Sequence, residues 1–395
     1  MDRSRTIAAA GLSRRDWLRR IAGGSAALAA GCQAPRSTRP KDLAHGTTQP
    51  SVRSRSDVAV IKGVDLRKMT RQSIDAIGGI RTVVARGDRV LIKPNLLDGF
   101  VKDHYAFQST RKGTPKQFGM ITDAEVLCAV AELCLEGGAS DVLIAESIRY
   151  GAFGLHGVNG PTLQQEVQTV NRRFGYKNRV RFEDLEPPLL AGKRLPDPAG
   201  LLRIPSPGTD LDEIVLCKKI ASADKVISVP VLKSHHDCCV TLGIKNFMGA
   251  TSYNHYTGAT PGKHRAALHE CRPGVDQAIL DMVKFIQPDL TVIDGSIGME
   301  GEGVYIFQGP RGPGLPVDLR QRCGGYYVIA SRDLVAADAT AARLIGFDPL
   351  RIKMLMLAHQ QGMGRVHESD LRFRGTEGRL ENLRFKTPAC YPNFA

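Results

Sequence analysis

Short runs of continuous apolar residues alternate with segments of helical period along this chain. Val58–Ile61, Arg89–Lys93, Asp141–Ala145, Lys225–Val229, Leu290–Asp294 and Tyr326–Ala330 read as strands. Met69–Ile77, Ala124–Glu136, Gly274–Ile286, Leu334–Ile345 and a last segment from Pro349 to Gln360 read as helices. A strand with no polar side must be covered on both faces, and helices between such strands supply the cover. The pattern predicts an α/β fold: a mostly parallel sheet with helices on both faces, as a single large domain or two closely packed lobes. Thr122 or Asp123 is placed to cap the second helix, and Gly137-Gly138 to close it.

Several strands end abruptly in polar residues: Lys93-Pro94-Asn95, Glu146-Ser147, Lys233-Ser234-His235 and Asp294-Gly295. Ligands of open α/β sheets sit beyond the carboxyl ends of the strands, so one composite site is expected there. The densest polar stretch is Lys233–Lys245, KSHHDCCVTLGIK, followed by Asn246. His235, His236, Asp237, Cys238 and Cys239 all have ligand chemistry. Neighbours on a strand point to opposite faces, so His235 and His236 are not expected to share a metal while extended. A divalent metal would take His235 with residues from elsewhere, His264, His269, Asp294 and Glu300 being the candidates, although no zinc or iron spacing is present. Lys93, Lys233, Lys245 and Arg265 form a second group, suited to a small anionic ligand. The plain alternative is solvated lysines and hydrogen-bonded histidines. Asp294–Gly303, DGSIGMEGEG, reads as a glycine-rich loop whose acids could hold a cation or take a proton. Pro310–Pro316 extends it as a surface excursion. No GxGxxG opens a helix and no GxSxG elbow is present.

The N-terminus carries a different message. Arg14-Arg15 is followed by an uncharged Gly/Ala-rich stretch from Ile21 to Ala30, the order of a twin-arginine export signal. Its apolar part is shorter than the about 20 residues needed to span a bilayer. Gly31-Cys32 resembles the end of a lipoprotein box, making Cys32 a lipidation site and a lipid anchor the chain's contact with the membrane. The expected division is a signal over 1–31, a disordered linker over 32–55, the α/β domain over 56–368 and an irregular tail over 369–395. The product is expected in the periplasm or cell envelope, with the twin-arginine translocation machinery as a partner.

The chain has 395 residues and a net charge of +14, which raises the question of nucleic acid. Residues 1–55 hold eleven Lys/Arg against three Asp/Glu, so +8 belongs to the leader and linker and +6 to the other 340 residues. No basic stripe interleaved with aromatics appears, and nucleic acid is not an expected partner. None of the nine cysteines falls in a CxxC pair, which signals neither a zinc ribbon nor a ferredoxin-type cluster.

The segments at 92–97, 122–147, 227–250, 264–270, 290–303 and 333–349 resemble the bacterial and archaeal domain of unknown function family 362, over residues 57–365. The resemblance implies Lys93, Asn95, His235, Lys245, Asn246, His269, Asp294, Glu300 and Asp338 as site positions, but no reaction. Some relatives are joined to an iron–sulfur module; this chain lacks those cysteine runs, so a cluster is not expected. Relatives tend to read Gly-x-Gly-Pro after Asp294, whereas here Gly303 is followed by Val304, and Gly309-Pro310 comes after an insertion.

The sequence therefore supports an exported enzyme of unstated reaction. His235, His269 and Lys245 are its catalytic candidates. Lys93, Asn95, Lys233, Asn246 and Arg265 are its binding residues. Asp294, Glu300 and His235 are its metal candidates. A non-catalytic envelope binding protein and a redox protein remain as alternatives.

Overall fold

A computed structural model describes residues 55–96, 119–147, 163–186, 200–252, 255–256, 265–303, 312–375 and 380–392. The export signal, Cys32, the linker as far as residue 54 and His264 lie outside the described residues.

Strands β1 (Ser56–Gly63), β2 (Arg89–Pro94), β3 (Asp141–Glu146) and β4 (Val180–Asp184) come first. β5 (Leu201–Pro205) and β6 (Glu213–Cys217) pair with each other as an antiparallel hairpin apart from the main sheet. β7 (Lys225–Val229), β8 (Val231–His235), β9 (Cys239–Thr241), β10 (Leu290–Glu300), β11 (Leu315–Asp318), β12 (Tyr326–Ser331) and β13 (Leu371–Gly375) follow. The main sheet runs β13-β1-β12-β10-β7-β2-β3-β4, with β11 and β8 on β10 and β9 on β8. From β10 to β4 every neighbour along this path is parallel. β12 lies antiparallel between β1 and β10.

The parallel centre is apolar on both faces. Val90, Leu91 and Ile92 pair with Val142, Leu143 and Ile144 on one side and with Lys225, Val226 and Ile227 on the other. Six helices of eight residues or more are described: α1 (Leu66–Ala76), α2 (Ala124–Gly137), α3 (Leu163–Arg173), α4 (Val275–Ile286), α5 (Leu334–Leu344) and α6 (Lys353–Gln360). α1 to α3 pack in succession as one group, α4 to α6 as another, and both groups flank the sheet. Local chemistry starts these helices where the sequence indicates. The side chains of Asp65, Asp123 and Asp333 accept the first-turn amides of Lys68, Glu125 and Ala336 at 2.8–2.9 Å. Gly138, at φ 98°, closes α2 in a conformation that glycine adopts without strain.

Three expectations are corrected. The glycine-rich stretch after Asp294 is not a loop: β10 continues to Glu300, buried throughout. Its glycines serve close packing, since a Cβ on Gly298 would stand 2.2 Å from the Leu232 carbonyl oxygen. Part of the Pro-rich excursion is itself a strand, β11, pairing Pro316 with Met299. The tail after Glu368 is not irregular throughout, because β13 adds a parallel edge to β1. Beyond it, Leu383 and Phe385 are buried, and their amides donate to Leu344 and Ile345 carbonyls at 2.8 and 2.9 Å.

Pro230 shapes the site's edge. It has no N–H to pair, and its carbonyl accepts the Asp294 amide at 2.8 Å. β10 therefore pairs with β7 at Leu290 and Thr291 and with β8 from Asp294 onward. The chain after Pro230 carries Lys233, Ser234 and His235 beyond the central strands.

Candidate anion-binding site

Lys93, at the end of β2, is fully buried. Its ammonium donates to Glu146 at 2.5 Å and to the Pro94 carbonyl at 2.8 Å. Burial pulls its pKa down, against the opposing pull of Glu146, and nearby Arg265 adds to the depression. Gly249 closes over this pair: a Cβ there would come 2.0 Å from the Glu146 carboxylate and 2.8 Å from the Lys93 ammonium. Lys233 is also fully buried and donates to Asn95 Oδ1 at 3.3 Å and to the Met120 carbonyl at 3.2 Å. Both lysines thus have protein partners that the sequence did not reveal.

Lys245 differs. It is only 6 % exposed, and among the described residues it makes no hydrogen bond or ion pair. Its position is set from below. The carboxylate of Asp338, on α5, accepts the amides of Gly243 and Ile244 at 2.8 and 2.9 Å, fixing the turn that carries Lys245 and Asn246. Asn246 donates to the Lys93 carbonyl at 2.8 Å and to Ser228 Oγ at 3.1 Å; its buried Oδ1 accepts nothing among the described residues. Asp338 is therefore a positioning residue. Burial pushes its carboxyl up to about 7, although both amides favour the ionised form. Asp276, a carboxylate near enough to Lys245 to sense its charge, is 3.7 Å from Lys353.

Three histidines gather beside Lys245. β8 ends at His235 and the chain turns, so His235 and His236 stack with ring centres 4.4 Å apart and planes 20° apart. The alternation expected for an extended strand ends one residue too early to separate them. Asp237 receives His236 Nε2 at 3.0 Å and His269 Nδ1 at 3.2 Å. Burial alone would raise the Asp237 carboxyl, but these two contacts hold it far below the carboxylate range.

The His235 tautomer follows from its partners. Its Nδ1 accepts the backbone amides of Asp237 at 3.0 Å and Cys238 at 3.3 Å, so it carries no proton. The neutral ring then bears its proton on Nε2. Burial, with Lys245 and His236 nearby, drives its pKa well below 6.5 and keeps it neutral. His269 is also lowered, chiefly by burial, and Asp237 partly opposes that. With Nδ1–H directed at Asp237, its Nε2 lone pair is available as a base.

A metal fits this group poorly. Among the described residues, one ligand atom each from His235, His236 and Asp237 come within 4.8 Å of one another. Yet the unprotonated nitrogen of His235 already accepts two amides. Of the other sequence-predicted metal ligands, His269 reaches Asp237, whereas Asp294 and Glu300 are engaged elsewhere. Asp294, fully buried, accepts the Asp123 amide at 2.7 Å and the Ser296 amide and hydroxyl at 2.9 and 2.5 Å. Glu300 pairs with Arg322 at 3.0 Å and accepts the Lys386 amide at 3.1 Å. Both carboxylates join elements of the fold. Arg265 donates to the Thr251 carbonyl at 3.2 Å. The sequence reading left Glu146 and Gly249 out of the site; Glu146 stood in plain view at the polar end of an apolar run.

Fold and geometry thus describe an α/β protein with a polar centre beyond its strand ends. The chain belongs to the family described as Domain of unknown function (DUF362), matched over residues 90–343. It is 28 % identical over 302 residues, 74 % of each chain, to Thylakoid-associated protein sll1697 of Synechocystis sp.. Among solved structures, lactate racemase apoprotein from Thermoanaerobacterium thermosaccharolyticum aligns at 12 % identity and TM-score 0.33, covering 63 % of this chain and 52 % of that one. A Thermotoga maritima protein aligns at 12 % and 0.33, over 72 % and 60 %. Likeness at that level carries no argument about function.

Proposed function

We propose that this chain is an exported enzyme that binds a small anion between Lys245 and His235 and moves a proton with His269. The observation that carries the reading is Lys245: a residue only 6 % exposed whose ammonium makes no hydrogen bond or ion pair among the described residues. A charge largely withdrawn from water is costly unless paired, and an anionic ligand would pair it. The Nε2–H of His235 is a neutral donor to the same anion. Asp237 orients His269 so that its Nε2 faces its task unprotonated, the arrangement of a general base held by a carboxylate. Export rests on the Arg14-Arg15 signal, with Cys32 as the site of a lipid anchor.

The test is a panel of phosphate, sulfate and small carboxylates, read by thermal shift and calorimetry on wild type and Lys245→Ala. A charge-assisted hydrogen bond contributes about 1.5–3 kcal/mol, so affinity for the bound anion should fall about 10- to 100-fold. Loss of all binding in wild type, or equal affinity in the variant, would overturn the pocket. Binding with release of every tested ligand unchanged would make the chain a solute-binding protein instead.

A further inference from the structure

We propose that Cys239 and Cys390 form a redox-active pair whose disulfide fastens the C-terminal tail to the turn that holds His235. The two sulfurs lie 3.3 Å apart, although 151 positions separate them in sequence. Both sides are held in place. Cys239 is a non-glycine residue in the left-handed conformation, at φ 63°, an uncommon geometry that persists where the surroundings enforce it. On the tail, Ala389 donates its amide to Glu302 at 3.0 Å and the Tyr391 hydroxyl accepts the Asp348 amide at 2.8 Å. The thiol between these anchors is therefore presented by packed structure. It meets the Cys239 amide at 3.2 Å and the His235 carbonyl at 3.3 Å. The inference is independent of the anion site, though it concerns the same turn.

The two thiols are unequal in the way a stepwise exchange requires. Cys390 is half-buried and Cys239 buried, 6 % exposed. The side-chain contact with Cys239 and the Cys239 amide lower the Cys390 thiol, while the same contact and burial raise Cys239. The oxidant is a small disulfide, RSSR. Cys390 thiolate attacks one sulfur, forming Cys390–S–S–R and releasing RS⁻. Cys239 loses its proton to solvent and attacks the Cys390 sulfur, releasing the second RS⁻. Two thiols lose two hydrogens, and RSSR becomes two RSH.

Full-length protein is incubated with oxidised or reduced glutathione, alkylated and digested with trypsin. Cleavage after Lys233, Lys245 and Lys386 leaves Ser234–Lys245 and Thr387–Ala395. The expected product is these two peptides joined in the oxidised sample and separate in the reduced one, with a higher Tm after oxidation. Because Cys238 shares the first peptide, the join should persist in Cys238→Ser and vanish in Cys239→Ser, where Cys390 retains glutathione. Failure to find the joined peptide in wild type, a join to another cysteine, or its loss in Cys238→Ser with the thermal transition intact would overturn the pair.

Discussion

Lys93, Lys233 and Lys245 look alike in the sequence, each near the end of an apolar run. Contacts made by distant residues separate them. Glu146 takes the charge of Lys93, Asn95 and the Met120 carbonyl take Lys233, and Lys245 makes no hydrogen bond or ion pair among the described residues. Asp338 is the residue-scale counterpart on the structural side. Its folded pKa, about 7, lies above the ordinary 3.8. A group with a raised folded pKa contributes stability that is full below the unfolded value and disappears as pH climbs through the folded one. Wild type should therefore lose stability relative to Asp338→Asn between about pH 4 and 7, by up to about 4 kcal/mol. Thermal melts of both proteins across that range check it; a difference that stays flat would show that Asp338 does not titrate there. The candidate set was partly legible because polar residues after buried strands stand out. The sorting was not, since a hydrogen-bond partner 53 or 138 positions away leaves no local mark.

At the scale of elements, periodicity and punctuation located six of the thirteen described strands and five of the six longer helices. Aspartates before α1, α2 and α5 mark their starts because a carboxylate there satisfies amides that the helix itself leaves unpaired. The errors fall where tertiary contact overrode local chemistry. DGSIGMEGEG reads as a loop because glycine is poor in isolated strands, yet most of it lies in β10, between β8 on one side and β12 and then β11 on the other, and glycine is what permits the approach. Asp294 shows the same displacement of role. It ties β10 to the start of α2 through the Asp123 amide. Asp294→Ala should cost about 2–5 kcal/mol, by leaving the Asp123 and Ser296 amides and the Ser296 hydroxyl without their acceptor. It should leave anion affinity unchanged if the protein still folds. Denaturant melts and calorimetry on the same sample decide between this joint and a ligand role, because a ligand would lose affinity first.

At the scale of the whole molecule, +8 of the net charge of +14 lies in residues 1–55 and +6 in the other 340 residues. Among the described residues no helix is long and apolar enough to cross a membrane; the attachment proposed above is through Cys32. Replacing Arg14-Arg15 with Lys-Lys should leave the product in the cytoplasm. Fractionation of cells producing the full chain reads this directly, and undiminished export of the variant would remove the twin-arginine assignment. The α/β class, six of the strand segments and the edge on which a site could form were determined by sequence alone. Burial on two faces imposes an apolar run, and a run must end where polar chemistry begins. Which lysine stays unpaired, which carboxylates become joints and which thiols meet were decided by the tertiary structure. Those outcomes depend on contacts between segments far apart in the chain, and a one-dimensional pattern holds no record of distance in space.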